Sequence, residues 1–178
     1  MSARKPAFTL IELLIVVAII GILAAIAVPN FLNARTKALV ARMESDLKAL
    51  GDAMVMYQLD NKCFFGWMGS NPYQELRRLT SPVAYIAAIP ADPFRRTFRS
   101  THDSETTNYD YTSYGPAKCM NAWLLHGLGP DADEDTGVFN LDPILSEKTA
   151  FKTLLFQVSN GINSSGDVIH TSWHGLSF

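Results

Sequence analysis

Several signatures are missing from this 178-residue chain, and each absence narrows what it can be. It has no polybasic tract and its formal net charge is −2, which argues against nucleic acid as a partner. No nucleophile motif such as G-x-S-x-G is present and no catalytic set stands out, which argues against an enzyme. There is no internal repeat of the solenoid kind and no low-complexity tract. Cysteine is scarce: Cys63 and Cys119 are the only two, so at most one disulfide can form within the chain. Between Lys5 and Arg35 there is no lysine or arginine at all. The length suits one compact domain plus an appendage.

The appendage is that stretch without basic residues. From Phe8 to Val28 only Thr9 and Glu12 are clearly polar. At about 1.5 Å per residue the run spans roughly 30 Å, one bilayer core. Arg4 and Lys5 precede it, and the positive-inside rule then leaves the N-terminus in the cytoplasm and carries everything past Val28 across. A cleaved secretory signal is the competing reading, with Ala25 or Ala27 as cleavage positions. The apolar run is long for a signal core, the helical pattern passes straight through those alanines, and Glu12 is an odd occupant. A carboxylate inside hydrocarbon costs roughly 2.5–3.5 kcal/mol on insertion scales, so Glu12 needs a reason.

Past Pro29 the helical period persists. Leu32, Thr36, Leu39, Met43, Leu47, Leu50, Met54 and Tyr57 step by three or four and form one stripe. Arg35, Lys37, Arg42, Lys48 and Asp52 lie off it, and Glu44–Lys48 is an i,i+4 pair. The simplest account is one helix of about 50 residues, its first half in lipid or a protein bundle and its second half packed on a head. Pro29 lacks an N–H and should kink or open it, and Gly21 is a second weak point. Gly66 and Gly69, with Asn71–Pro72 behind them, are expected to end the helical region.

The remainder reads as short elements. Residues Tyr73–Leu79 suit a short helix and Ile89–Phe94 a proline-bound loop. Thr107–Pro116, Ala122–Leu128 and Gly166–Trp173 suit strands, and Thr149–Asn160 is ambiguous. The fold class expected is α+β, a long helix lying on a small antiparallel sheet. Tyr109 and Tyr111 share a strand face and Tyr114 does not, which suits sheet packing. Trp67, Trp123 and Trp173 suit core or subunit contacts. His170 and His174 have a metal spacing only on a helix, and their segment reads as strand.

The stretch "A-FTLIELLIVVAIIGILAAIAVPNF" resembles the N-terminus of type IV pilin-like proteins, the pilins and the type II secretion pseudopilins. Shorter stretches of the head, "SPVAYIAAIPADPF", "YTSYGP", "GLGPDADED" and "NGINSSGDVI", are similar to the major pseudopilin of type II secretion. The resemblance implies a leader over residues 1–7, a transmembrane or filament-core helix over 8–29, its amphipathic continuation over 30–59, and an exported head over 60–178. It implies cleavage between Ala7 and Phe8 by a prepilin peptidase and N-methylation of Phe8. The family usually has glycine before the cut, where this chain has Ala7. Subunits would then stack their helices into a homopolymer, with an inner-membrane assembly platform and minor pseudopilins as partners and with Gly21 and Pro29 as the flexible points.

In the processed chain the Phe8 amine is the nearest cation to Glu12, in the same chain or a neighbour. A charge pair in low dielectric punishes either partner left alone, which makes Glu12 a register device for assembly. Snorkelling of Glu12 to the interface is the alternative.

Asp131, Asp133, Glu134 and Asp135 sit in a loop bounded by glycine and proline. Such carboxylates suit Ca²⁺, with loop carbonyls such as that of Leu128 completing a shell. Thr136 stands where an EF-hand needs glycine, so that motif is rejected. The resemblance also implies a Ca²⁺ site in this loop; a solvated acidic loop is the alternative. Cys63 and Cys119 either pair in the oxidising compartment or stay as buried thiols.

The leading expectation is a pseudopilus subunit. A true type IV pilin for adhesion, motility or DNA uptake is the runner-up. A membrane-anchored enzyme or calcium-dependent binding domain is the alternative from another class.

Overall fold

The computed structural model describes residues 8–66, 75–95, 108–115, 119–133, 155–156 and 166–172. Helix α1 runs Leu10–Asn61, as the apolar run and the stripe behind it require. The helical assignment is unbroken through Pro29, although residue 29 has no N–H to donate one turn back. The chain divides into two compact units, Met1–Lys37 and Ala38–Phe178, so α1 contributes to both.

In the first unit the large apolar side chains from Phe8 to Leu32 are all between 46% and 87% exposed. In the second, α1 buries Val40, Met43, Leu47, Leu50, Ala53 and Met54. Leu39 and Tyr57 of the predicted stripe are half-buried, and Leu32 lies outside the core. Among the described residues, the i,i+4 ion pair within 4 Å on α1 is Arg42–Asp46 at 3.6 Å rather than Glu44–Lys48. Asp46 also accepts from the Tyr109 hydroxyl at 3.1 Å, which ties the helix to the head.

The helix stops at Asn61, short of the glycines expected to end it. Lys62 is left-handed, with φ 65°, and its N–H returns to the Gln58 carbonyl at 2.7 Å. The side chains of Asn61 and Lys62 donate to the carbonyls of Tyr57 and Leu59, so the terminal carbonyls are satisfied without glycine. Cys63 follows at once and is disulfide-bonded to Cys119, 56 positions on.

Strands β1 (Asp110–Tyr114), β2 (Ala122–Gly127) and β3 (Val168–Thr171) form an antiparallel sheet in the order β1-β2-β3. All three fall in predicted strand segments. Pairing of Tyr111 with Leu125, and of Leu125 with His170, sets one face, which carries Trp123, Leu125 and Val168 into the core against α1. The other face carries Asp110, Thr112, Leu124 and His126. Of the segment expected to be a short helix, the described residues 75–79 are helical and end in a 3-10 turn, Arg77–Leu79, with Leu76 and Leu79 buried. Ala91 bridges to Asn108 inside the Ile89–Phe94 loop. Of the ambiguous 149–160 segment the described part is Leu155–Phe156, where Leu155 bridges Asp167 in parallel.

Candidate functional site

The N-terminus of α1 shows how the chain accommodates Glu12. The Thr9 N–H donates to Glu12 Oε2 at 2.8 Å and the Thr9 hydroxyl to the same oxygen at 2.6 Å. In return the Glu12 N–H donates to Thr9 Oγ1 at 3.3 Å. This is a reciprocal capping box, with Thr9 as N-cap and Glu12 three residues in, satisfying two backbone donors that a helix start leaves open. Thr9 was missed in the sequence, though its signal, T-x-x-E before an apolar run, was there to read. The carboxylate is thereby fixed at the Thr9 amide, one residue from the Phe8 nitrogen. Met1–Ala7 lie outside the described residues.

The apolar surface behind this cap is large. Monomeric soluble proteins rarely leave such a patch bare. By length and composition α1 can cross a membrane. Among the described residues a Cβ at Gly21 would meet nothing within 4 Å, so none of their contacts explains glycine there.

In the head, Leu128 leaves β2 with its side chain fully buried. Its N–H donates to Asp92 Oδ2 at 2.8 Å, while Asp92 Oδ1 accepts from the Phe94 N–H at 2.8 Å. Burial pushes the Asp92 carboxyl up, while these two amides and the Arg95 charge pull it down. The chain then turns, with the Ala132 N–H donating to the Gly129 carbonyl at 2.9 Å and Ala132 left-handed at φ 58°. A Cβ on Gly129 would lie 2.2 Å from the Gly166 carbonyl oxygen and 3.1 Å from Asp131 Oδ1. The loop therefore packs on Gly166, beside the fully buried Asp167, a juxtaposition the sequence did not reveal. Asp131 and Asp133 are exposed, and Glu134 and Asp135 lie outside the described residues. Among the described residues no three metal-ligating side chains gather. The donors at hand, carboxylate and carbonyl oxygens, nonetheless fit a hard cation in their chemistry.

Beneath the second sheet face is a buried polar group. Arg95 pairs with Asp110 and donates to the Asn108 carbonyl at 2.7 Å. His126 is fully buried with Nε2 3.4 Å from the same Asp110 oxygen. On the helix side His170 lies against Trp123, ring centroids 5.5 Å apart. Burial pushes His170 down; Asp52 raises it and Lys48 lowers it further. His174, Trp67 and Trp173 lie outside the described residues.

An apolar helix opened by a Thr9–Glu12 capping box and continued into a small antiparallel head is the α+β layout of type IV pilin-like subunits. The prokaryotic N-terminal methylation motif matches residues 3–28. The chain is 30% identical over 148 residues to the type II secretion system core protein G of Dickeya chrysanthemi, covering 79% of this chain and 90% of that one. It is 34% identical over 125 residues to the core protein G of Escherichia coli K12, covering 64% and 83%. It is also 47% identical over 111 residues to the type IV major fimbrial protein FimA of Dichelobacter nodosus, covering 60% and 69%. No solved structure matches it significantly. The chain belongs to the family of the type II secretion system core protein G, the major pseudopilins.

Proposed function

We propose that this protein is the structural subunit of a pseudopilus that drives protein secretion across the outer membrane, with assembly rather than catalysis as its activity. The observation that carries this is the similarity to core protein G along most of the chain, head included. The apolar surface of residues 8–32 supports it, because lipid covers that surface before assembly and other copies cover it afterwards. A prepilin peptidase cuts between Ala7 and Phe8 and methylates Phe8. The helix sits in the inner membrane with its N-terminus cytoplasmic and its head periplasmic. The assembly platform and minor pseudopilins act on it there, and the Phe8 amine pairs with Glu12 to set register.

Two measurements test this. Intact mass of the purified protein should show loss of Met1–Ala7 plus one methyl; retention of Met1, or a cut after Ala25 or Ala27, sinks the processing scheme. Deletion of the gene should abolish secretion of exported enzymes. The FimA similarity favours a second reading, a true type IV pilin. A deletion strain that secretes normally but loses surface pili establishes that reading instead.

We propose further that the loop after β2 binds Ca²⁺ through Asp131, Asp133, Asp135 and the Leu128 carbonyl. The ion would supply charge neutralisation to a loop with no lysine or arginine between Lys118 and Lys148. At a hundredfold excess over Kd, binding to the folded state alone adds about 2.7 kcal/mol. Melting the protein in calcium and then in chelator tests it. An unchanged midpoint, with Asp133→Ala also silent, leaves the loop as solvated surface.

A further inference from the structure

We infer that an acid-flanked apolar strip near the end of α1, Asp52 to Asp60, docks on the basic segment Phe31–Lys37 of a second copy of this chain. The inference rests on the assembly reading above and adds to it the two surfaces that meet.

In the second unit, Asp52, Val55, Met56, Leu59 and Asp60 are linked by steps of three and four, so they share one side of α1. All five are exposed, the three apolar ones between 47% and 66%, while Gly51, Ala53 and Met54 are buried in the head. Asp60 Oδ2 accepts from the Tyr85 hydroxyl at 2.9 Å. The helix has no lysine or arginine between Lys48 and Lys62, and Lys62 donates to the Leu59 carbonyl at 3.1 Å. In the first unit, Phe31, Leu32 and Arg35 are neighbours by the same spacing, and they and Lys37 are exposed. No aspartate or glutamate lies between Glu12 and Glu44. Arg42 pairs with Asp46 inside the chain. Among the described residues, by contrast, Arg35, Lys37, Asp52 and Asp60 have no ion-pair partner within 4 Å.

Each surface is therefore an apolar centre with unpaired charge of one sign, and the two signs are opposite. Burying Val55, Met56 and Leu59 against Phe31 and Leu32 supplies the attraction. The two acids facing two bases select the partner and fix the register, which is what charges at the rim of a contact do best. The complementary surface is supplied by the chain itself, which singles out a second copy as the occupant. Because the two patches differ, the contact is heterologous: each copy keeps one patch free for the next, and the assembly extends as an open filament instead of closing as a dimer.

The test uses filaments of the full chain sheared from cells and treated with a zero-length carbodiimide, which joins a carboxylate to an amine only where the two already touch. The dimer band should yield peptides linking Lys37 to Asp52 or Asp60, and this measurement needs no variant to fold. Reversing either side, by Asp52→Lys with Asp60→Lys or by Arg35→Glu with Lys37→Glu, should lower filament yield about tenfold or more. Combining all four changes should restore the yield to within about threefold of wild type. A combined variant as poor as the two separate ones overturns the charge matching. Filaments whose dimer band holds neither crosslink, or in which Lys37 is joined to a different protein, overturn the contact alone and leave the assembly reading standing. A wild-type chain that forms no homopolymer overturns the assembly reading and this inference with it.

Discussion

Replacing Cys63 and Cys119 by serine opens a loop whose ends are 56 positions apart. In the chain-entropy account, a cross-link of that span stabilises by about 4 kcal/mol, by restricting the unfolded chain. The native neighbourhood has other ties that should survive the change. The Phe64 N–H donates to the Met120 carbonyl at 3.3 Å, and Phe64 meets Trp123 edge to face with centroids 6.3 Å apart. The helix stop at Lys62 is made by its own backbone and side chain. The folded head should therefore keep its spectrum while its stability falls. For a domain of this size, about 4 kcal/mol corresponds to a drop in Tm of roughly 10–20 °C. The assay is thermal circular dichroism of the head, residues 38–178, which carries its own core, for the wild type and the double serine variant. A drop under about 5 °C with the spectrum unchanged would refute the reasoning, and would mean that the unfolded chain is already restricted without the bond.

Four further outcomes are expected. Glu12→Ala should insert and be cleaved but assemble poorly, with Glu12→Gln milder and Thr9→Ala costing about 1 kcal/mol of helix capping; wild-type filament yield from Glu12→Ala defeats the pairing argument. Gly51→Val should destabilise the head by about 1–3 kcal/mol in urea unfolding, because even a Cβ there lies 2.6 Å from His170 Nε2 and 2.9 Å from Trp123 Cη2; a neutral result would show that His170 swings away freely. The head should lose stability as pH falls below about 6.5, since folding lowers the His170 pKa and the unfolded chain then binds more protons. His170→Gln should flatten that part of the Tm–pH curve, and an identical slope in the variant removes His170 as the cause. In the assembled filament the helix should open or bend between Gly21 and Pro29, where a donor is missing and glycine weakens the turn; a filament map with unbroken helix through Val28–Asn30 contradicts this.

The sequence by itself determined the elements and their type. A 3.6-residue period runs through Leu39, Met43, Leu47, Leu50 and Met54, and a residue reads its own helix neighbours three and four positions away. Local alternation located β1, β2 and β3 in the same way. Even the capping of Glu12 by Thr9 was a local signal, present in four consecutive residues and overlooked. The N-terminal apolar run declared its need for lipid or partner helices through composition alone.

What only the tertiary structure decided are pairings between residues far apart in the chain. Cys63 had one candidate partner, but whether the two thiols meet depends on where the helix stops, and that stop is made by a left-handed Lys62 rather than by a glycine. Gly51, inside α1, is the seat for His170 and Trp123. Asp110 and His126 share the second face of the sheet. They are covered because Arg95 reaches Asp110 and the loop at Ala91 bridges to Asn108, so β2 is buried on both faces. Asp92 meets Leu128 by the same route, once the sheet register has carried the end of β2 to the loop that holds it. Periodicity reports which face of an element is apolar, but it carries no information about which distant segment arrives to cover the other, and burial of a polar side chain is decided by that arrival.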